Sequence, residues 1–127
     1  MKKISIANVK YNNAYLLRAL DFYKLEIGIL KERLTEIARR NTNQNVMKMV
    51  EHFQNQFIVQ LENIDKLAHN IKINTEQIAF AAKQPNAGYI DETLVTQAAT
   101  LRQDFSHEEK TIADLRHEFN EFAVDWM

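Results

Sequence analysis

The chain has 127 residues, a formal charge of -1, 46% apolar and 26% charged residues, two glycines, one proline and no cysteine. That length suits one domain able to bury a core without cross-links, and the lack of cysteine excludes disulfides, thiol nucleophiles and cysteine-ligated zinc. Near-neutral charge gives no electrostatic reason to expect nucleic acid or an anionic membrane surface as partner, and so few glycines and prolines favour a small number of long helices over a turn-rich β fold.

The first residues, Met1-Lys2-Lys3-Ile4-Ser5-Ile6, run into the polar Asn8, Lys10, Asn12 and Asn13. They do not form the apolar stretch of a signal peptide, and no run of 18 apolar residues occurs in the chain. The expected location is the cytoplasm. From there Val9, Leu16, Leu20, Tyr23, Ile27, Leu30, Leu34 and Ile37 recur at alternating steps of four and three once Leu16 is reached. This is the a/d pattern of a helix packed along one seam, and it predicts a helix over about 8–41. The polar cluster Asn41-Thr42-Asn43-Gln44-Asn45 ends it and offers an N-cap to the next.

The second segment, predicted over 44–83, repeats the pattern from Val46, Val50, Phe53 and Phe57 to Ile64, Leu67, Ile71, Ile78 and Ala81, with the polar Gln60 and Asn74 at seam positions. It stops before Gln84-Pro85-Asn86-Ala87-Gly88, the one place where proline and glycine come together. The third, predicted over 90–126, runs through Leu94, Ala98, Leu101, Phe105, Ile112, Leu115, Phe119, Phe122 and Trp126, with Glu108 as its single polar seam residue. Short links force consecutive helices to be antiparallel. The fold expected is therefore all-α: one domain, 1–127, forming an up-down-up bundle of three long helices with heptad-like packing.

Two features exceed the needs of a plain bundle. Tyr15, Phe22 and Ile29 fall at heptad position c of the first helix and Leu25 at f, forming a second apolar strip that faces away from the seam. Either the first helix is broad-faced and its own bundle partly covers this strip, or the row marks an interaction surface, of which self-association is the commonest kind; on the second reading these four residues are the candidate interface of a homodimer or of docking to a helical partner. Gly28 would allow a second backbone to come close, and Ile4 and Ile6 would extend the contact. The second feature is the polar seam. A turn near Asn43 sets Asn13 opposite Asn74, and a turn near Pro85 sets Glu108 near Gln60 at the level of Tyr23. Asn13 and Asn74, and Tyr23, Gln60 and Glu108, are thus candidate buried polar clusters. Buried amides fix helix register at some cost in stability; a ligand pocket around Glu108 is the alternative.

Catalytic signatures are missing. The four histidines, His52, His69, His107 and His117, fall at outward c and f positions, and none follows a glutamate by three residues, as a di-iron bundle site requires. His117 with Glu121, near His52, Glu32 and Glu36, is the nearest approach to a surface zinc site. Ser5 and Ser106 lie in no Gly-x-Ser-x-Gly turn, and two glycines make no phosphate loop. No enzymatic activity, cofactor or metal is expected. The basic residues late in the first helix suit the helix dipole, and Glu32 and Glu36 are expected to pair with Arg39 and Arg40 along it.

The amide-rich run His52-Phe53-Gln54-Asn55-Gln56-Phe57-Ile58-Val59-Gln60-Leu61-Glu62-Asn63-Ile64-Asp65, together with Asp114-Leu115-Arg116-His117-Glu118-Phe119-Asn120-Glu121-Phe122, resembles small helical proteins of Bacteroidota bacteria that have no assigned activity. The resemblance implies a bacterial cytoplasmic setting and nothing about mechanism. The function expected from the residues is that of a non-enzymatic interaction protein, homo-oligomeric, without nucleic acid or membrane as partner. The alternative is a small-molecule or metal-binding bundle that uses the polar core.

Overall fold

The structure, a computed structural model, describes residues 6–84 and 92–127. Three helices account for nearly all of them: α1 (Ile6–Arg40), α2 (Gln44–Ala82) and α3 (Glu92–Trp126). Each packs against the other two, so the chain is an all-α three-helix bundle. Residues 90 and 91, Ile4 and the Pro85-to-Gly88 break lie outside the described residues.

The helix ends follow from local chemistry. Asn43 is the N-cap of α2, in extended conformation, and its Oδ1 accepts the Asn45 backbone N–H at 2.8 Å; this satisfies one of the donors that a helix start leaves free. Asn41 Nδ2 donates back to the Ile37 carbonyl at 2.9 Å and closes α1. At the end of α2 the N–H groups of Lys83 and Gln84 turn to the carbonyls of Phe80 and Ala81, tightening the last turn as helix ends commonly do.

The core falls where the three-and-four spacing puts it. Leu16, Leu20, Ile27, Leu30, Leu34 and Ile37 of α1 are buried, as are Val46 through Ile71 at seam positions of α2 and Leu101 through Phe122 of α3. Its largest feature is an aromatic cluster at the end where α2 begins and α3 finishes. Phe53 stacks edge-on against Phe119 with centroids 5.3 Å apart and lies 5.2 Å from Phe122, and Phe57 meets Phe119 at 5.5 Å. Such edge-to-face contacts add about 0.5–1.5 kcal/mol each beyond the area they bury. Trp126, placed by its spacing in the seam, is instead 38% exposed. It is the last residue of α3, beyond the final layer of the bundle, and its carbonyl accepts from Asn41 Nδ2 at 3.4 Å.

The apolar core is in two parts. A small cluster of Val9, Ile78 and Ala98, with Leu94 against it, sits apart from the main one. Asn13 and Asn74 lie between them in sequence, one turn from Val9 and Ile78 respectively, so a polar layer separates the two.

Candidate functional site

The outer face of α1 carries the four residues expected there. Tyr15, Phe22, Leu25 and Ile29 are exposed by 56, 60, 71 and 55%. Steps of seven, three and four residues keep side chains on one side of a helix, and at about 1.5 Å per residue the strip from Tyr15 to Ile29 is ~21 Å long. Tyr11, four residues before Tyr15 and 70% exposed, continues it. It was legible in the sequence as the preceding f position.

Gly28 sits beside this strip in the middle of α1. Glycine there costs a helix about 1 kcal/mol relative to alanine, yet a Cβ built at Gly28 would meet nothing within 4 Å. Nothing inside the described chain requires the glycine.

The polar core residues are brought together in two separate layers. Asn13 Nδ2 donates to Asn74 Oδ1 at 2.9 Å and to Thr75 Oγ1 at 3.0 Å, and Asn74 Nδ2 donates to the Leu94 carbonyl at 3.3 Å. One layer thereby ties all three helices together. In the second, the end of the Gln60 carboxamide lies 2.6 and 3.1 Å from the two oxygens of Glu108, and setting its nitrogen there makes both contacts hydrogen bonds to the carboxylate. Both residues are buried, and burial pushes the Glu108 carboxyl up to about 7. The amide suits either state of its neighbour: its nitrogen donates to the carboxylate, and its oxygen, after a turn about the last side-chain bond, accepts from the neutral acid.

Tyr23 does not join Gln60 and Glu108. Its hydroxyl donates to the next residue, Glu109, at 2.5 Å on the outside of α3. The ring packs against Phe105 while the long side chain carries its polar tip to the rim, as amphipathic side chains do. Burial, then the hydrogen bond and the charge of Glu109, push the Tyr23 hydroxyl up to about 12. Thr75 and Glu109 were not picked out from the sequence; both sit next to seam positions, where a short hydroxyl or a long carboxylate can reach across.

The ion pairs cross between helices. Arg116 Nε and Nη2 donate to the two oxygens of Glu26 at 2.9 and 2.5 Å in a bidentate contact. That hydrogen bond holds the guanidinium pKa above its ordinary value. Lys24 Nζ meets Asp65 at 3.1 Å on the α2 side. Among the described residues neither Glu32 nor Glu36 pairs with Arg39 or Arg40, contrary to the expectation of intrahelical pairs. All four are exposed, where water screens such a pair and the entropy of holding two long side chains offsets most of its gain.

All four histidines are exposed. His117 lies 3.1 Å from Glu121 within α3, and His52 shares a shallow surface hollow with Glu118, Glu121 and Asp125. Glu32 and Glu36 are not among the residues lining it. Among the described residues no three histidine or carboxylate side chains are grouped closely enough to hold a metal ion, and no helix is long and apolar enough to cross a membrane.

One further concavity escaped the sequence. A groove of about 590 Å³ runs between α2 and α3, with Asn70, Gln77, Thr96, Gln97 and Thr100 along its sides and the buried Asn74 among its lining. Glu92 is the single charged residue there. These polar positions look like ordinary solvated faces in a linear sequence, and only the packing of two helices makes them face one space.

No family model, curated protein or solved structure matches the chain.

Proposed function

We propose that this is a non-enzymatic, cytoplasmic interaction protein that works as a homodimer joined through the outer face of α1. The observation that carries the reading is the row of Tyr15, Phe22, Leu25 and Ile29, each more than half exposed on one side of a helix whose other side is already packed. Aromatic and branched side chains gain most from leaving water, and a contiguous row of them on an otherwise charged helix marks a contact surface. The unused allowance for close approach at Gly28 supports the same face.

Native mass spectrometry across a concentration series tests it. A concentration-dependent dimer, converted by Phe22→Glu with Ile29→Glu into a monomer of unchanged helical circular dichroism, supports the reading. A wild-type protein that stays monomeric at high micromolar concentration, or a double variant that remains dimeric, overturns it.

The groove between α2 and α3 favours a second reading, a bundle that binds a small neutral ligand through amides and hydroxyls. Added mass retained on the monomer in the same spectra, lost on Gln97→Leu, would support that instead. Glu108 and Gln60 serve this reading poorly, since each satisfies the other inside the core.

A further inference from the structure

We infer that the second copy docks antiparallel on α1, about a two-fold axis passing near Leu25, with Arg18 of each chain set against Glu32 and Glu36 of the other. This rests on the dimer proposed above and specifies its geometry. The charges along the strip carry the argument. Continuing the f and c positions outward from the apolar centre of Phe22, Leu25 and Ile29 leads to Arg18 on one side and to Glu32 and Glu36 on the other. The strip is therefore basic before its centre and acidic just after it.

A parallel pairing would lay Arg18 on Arg18 and Glu32 on Glu32, like charge on like charge. Reversal of the second chain turns each of these clashes into an attraction. It also brings Tyr11 level with Arg39, which allows a guanidinium to lie on an aromatic face, while the apolar block stays over its own copy. Like charges across an interface select against an arrangement more strongly than exposed opposite charges stabilise one, so these side chains set orientation more than affinity.

The bonding pattern of α1 agrees. Two of its seam-side charges are already engaged within the chain, Lys24 with Asp65 and Glu26 with Arg116. Arg18, Glu32, Glu36 and Arg39, on the outer face, make no ion pair among the described residues. Ala14, Asp21 and Gly28 flank the strip on one side, and in the reversed arrangement that edge meets its own counterpart, with the two Asp21 side chains about 12 Å apart along the axis. A strip of this length makes an interface at the lower end of the size range of specific complexes, so dissociation in the micromolar range is expected.

The natural absence of cysteine makes cross-linking a clean test. Arg18→Cys, Glu32→Cys and Glu36→Cys variants are prepared singly, treated with a short bismaleimide alone and as equimolar pairs, and run beside native mass spectrometry. Arg18 and Glu32 are about 21 Å apart along one helix, so a short linker separates the two geometries. Cross-linking of Arg18→Cys to Glu32→Cys or Glu36→Cys, with no product from Arg18→Cys alone, supports the inference. A product from Arg18→Cys alone in a dimeric protein overturns the antiparallel arrangement and leaves the α1 dimer standing. A dimer that gives no product with any pair places the contact on another face and overturns both, as does a protein that is monomeric throughout. Charge exchange supplies a second readout: Arg18→Glu is expected to raise the dissociation constant roughly 3- to 10-fold, and Arg18→Glu with Glu32→Arg and Glu36→Arg to restore it. Equal weakening by the triple variant would overturn the pairing.

Discussion

Gln60 of α2 and Glu108 of α3 face each other inside the bundle, with 2.6 Å between the end of the carboxamide and one carboxyl oxygen. Among the described residues Gln60 is the one partner of this carboxyl and no cation stands beside it, and burial pushes it from 4.5 up to about 7. The native state therefore holds a proton that the unfolded chain releases between those values. Its stabilising contribution is complete below about pH 4.5 and is lost as pH rises through about 7. Over that window stability should fall by up to ~3 kcal/mol relative to a Glu108→Gln variant. That variant stays neutral and keeps an amide partner for Gln60. Urea midpoints measured from pH 4 to pH 8 for both proteins check this; parallel curves would show that Glu108 ionises as an ordinary surface group.

Asn13 and Asn74 present a different balance. Asn13→Ala leaves the buried Asn74 without its donor, and an unsatisfied buried amide costs about 1–3 kcal/mol. Replacing both by leucine removes the polar requirement and adds apolar burial, so Asn13→Leu with Asn74→Leu should recover most of that loss or exceed the wild-type stability. The cost of the double change should appear as weaker register specification, seen as broader amide resonances or mixed oligomers. Thermal unfolding of the two variants, with a ¹H–¹⁵N spectrum of the second, decides between these effects.

The polar layer also divides the molecule mechanically. Among the described residues the buried apolar cluster beyond it is Val9, Ile78 and Ala98, with Leu94 against it, so little fully buried apolar surface holds that end of the bundle. Amide exchange should be fastest in residues 6–13, 75–84 and 92–97, and slowest around Phe53, Phe57 and Phe119, since local opening follows the density of buried contacts. Uniform protection along all three helices would contradict this division.

Phe53 touches Phe57, Phe119 and Phe122 and is 1% exposed. Its truncation to alanine leaves a cavity among rings that cannot collapse freely, with an expected loss of about 3–5 kcal/mol. Phe22→Ala, on the exposed strip, should cost under about 0.5 kcal/mol in the monomer. Chemical denaturation at low protein concentration, where association does not contribute, compares the two.

Much of this was legible before any coordinates. Tyr15, Phe22, Leu25 and Ile29 stood out because a helix with one packed seam has no internal use for a second one. The meeting of Asn13 with Asn74, and of Gln60 with Glu108, followed from short links and a constant rise per residue, which fix the level at which antiparallel helices meet. Tyr23 defeated that reasoning. Its level was right, but level does not determine which way a long side chain leaves the seam. The hydroxyl took the exit to Glu109, an exposed carboxylate, over the interior, where Glu108 already had an amide partner.

The sequence by itself determined the number of helices, their lengths and their direction, because apolar spacing and link length act locally and leave few alternatives. Only the tertiary structure decided how the helices are rotated about their own axes. That rotation paired Glu26 with Arg116 and opened the groove beside Asn74. These outcomes depend on side chains more than 20 residues apart meeting at a few ångströms, a distance scale that periodicity does not resolve.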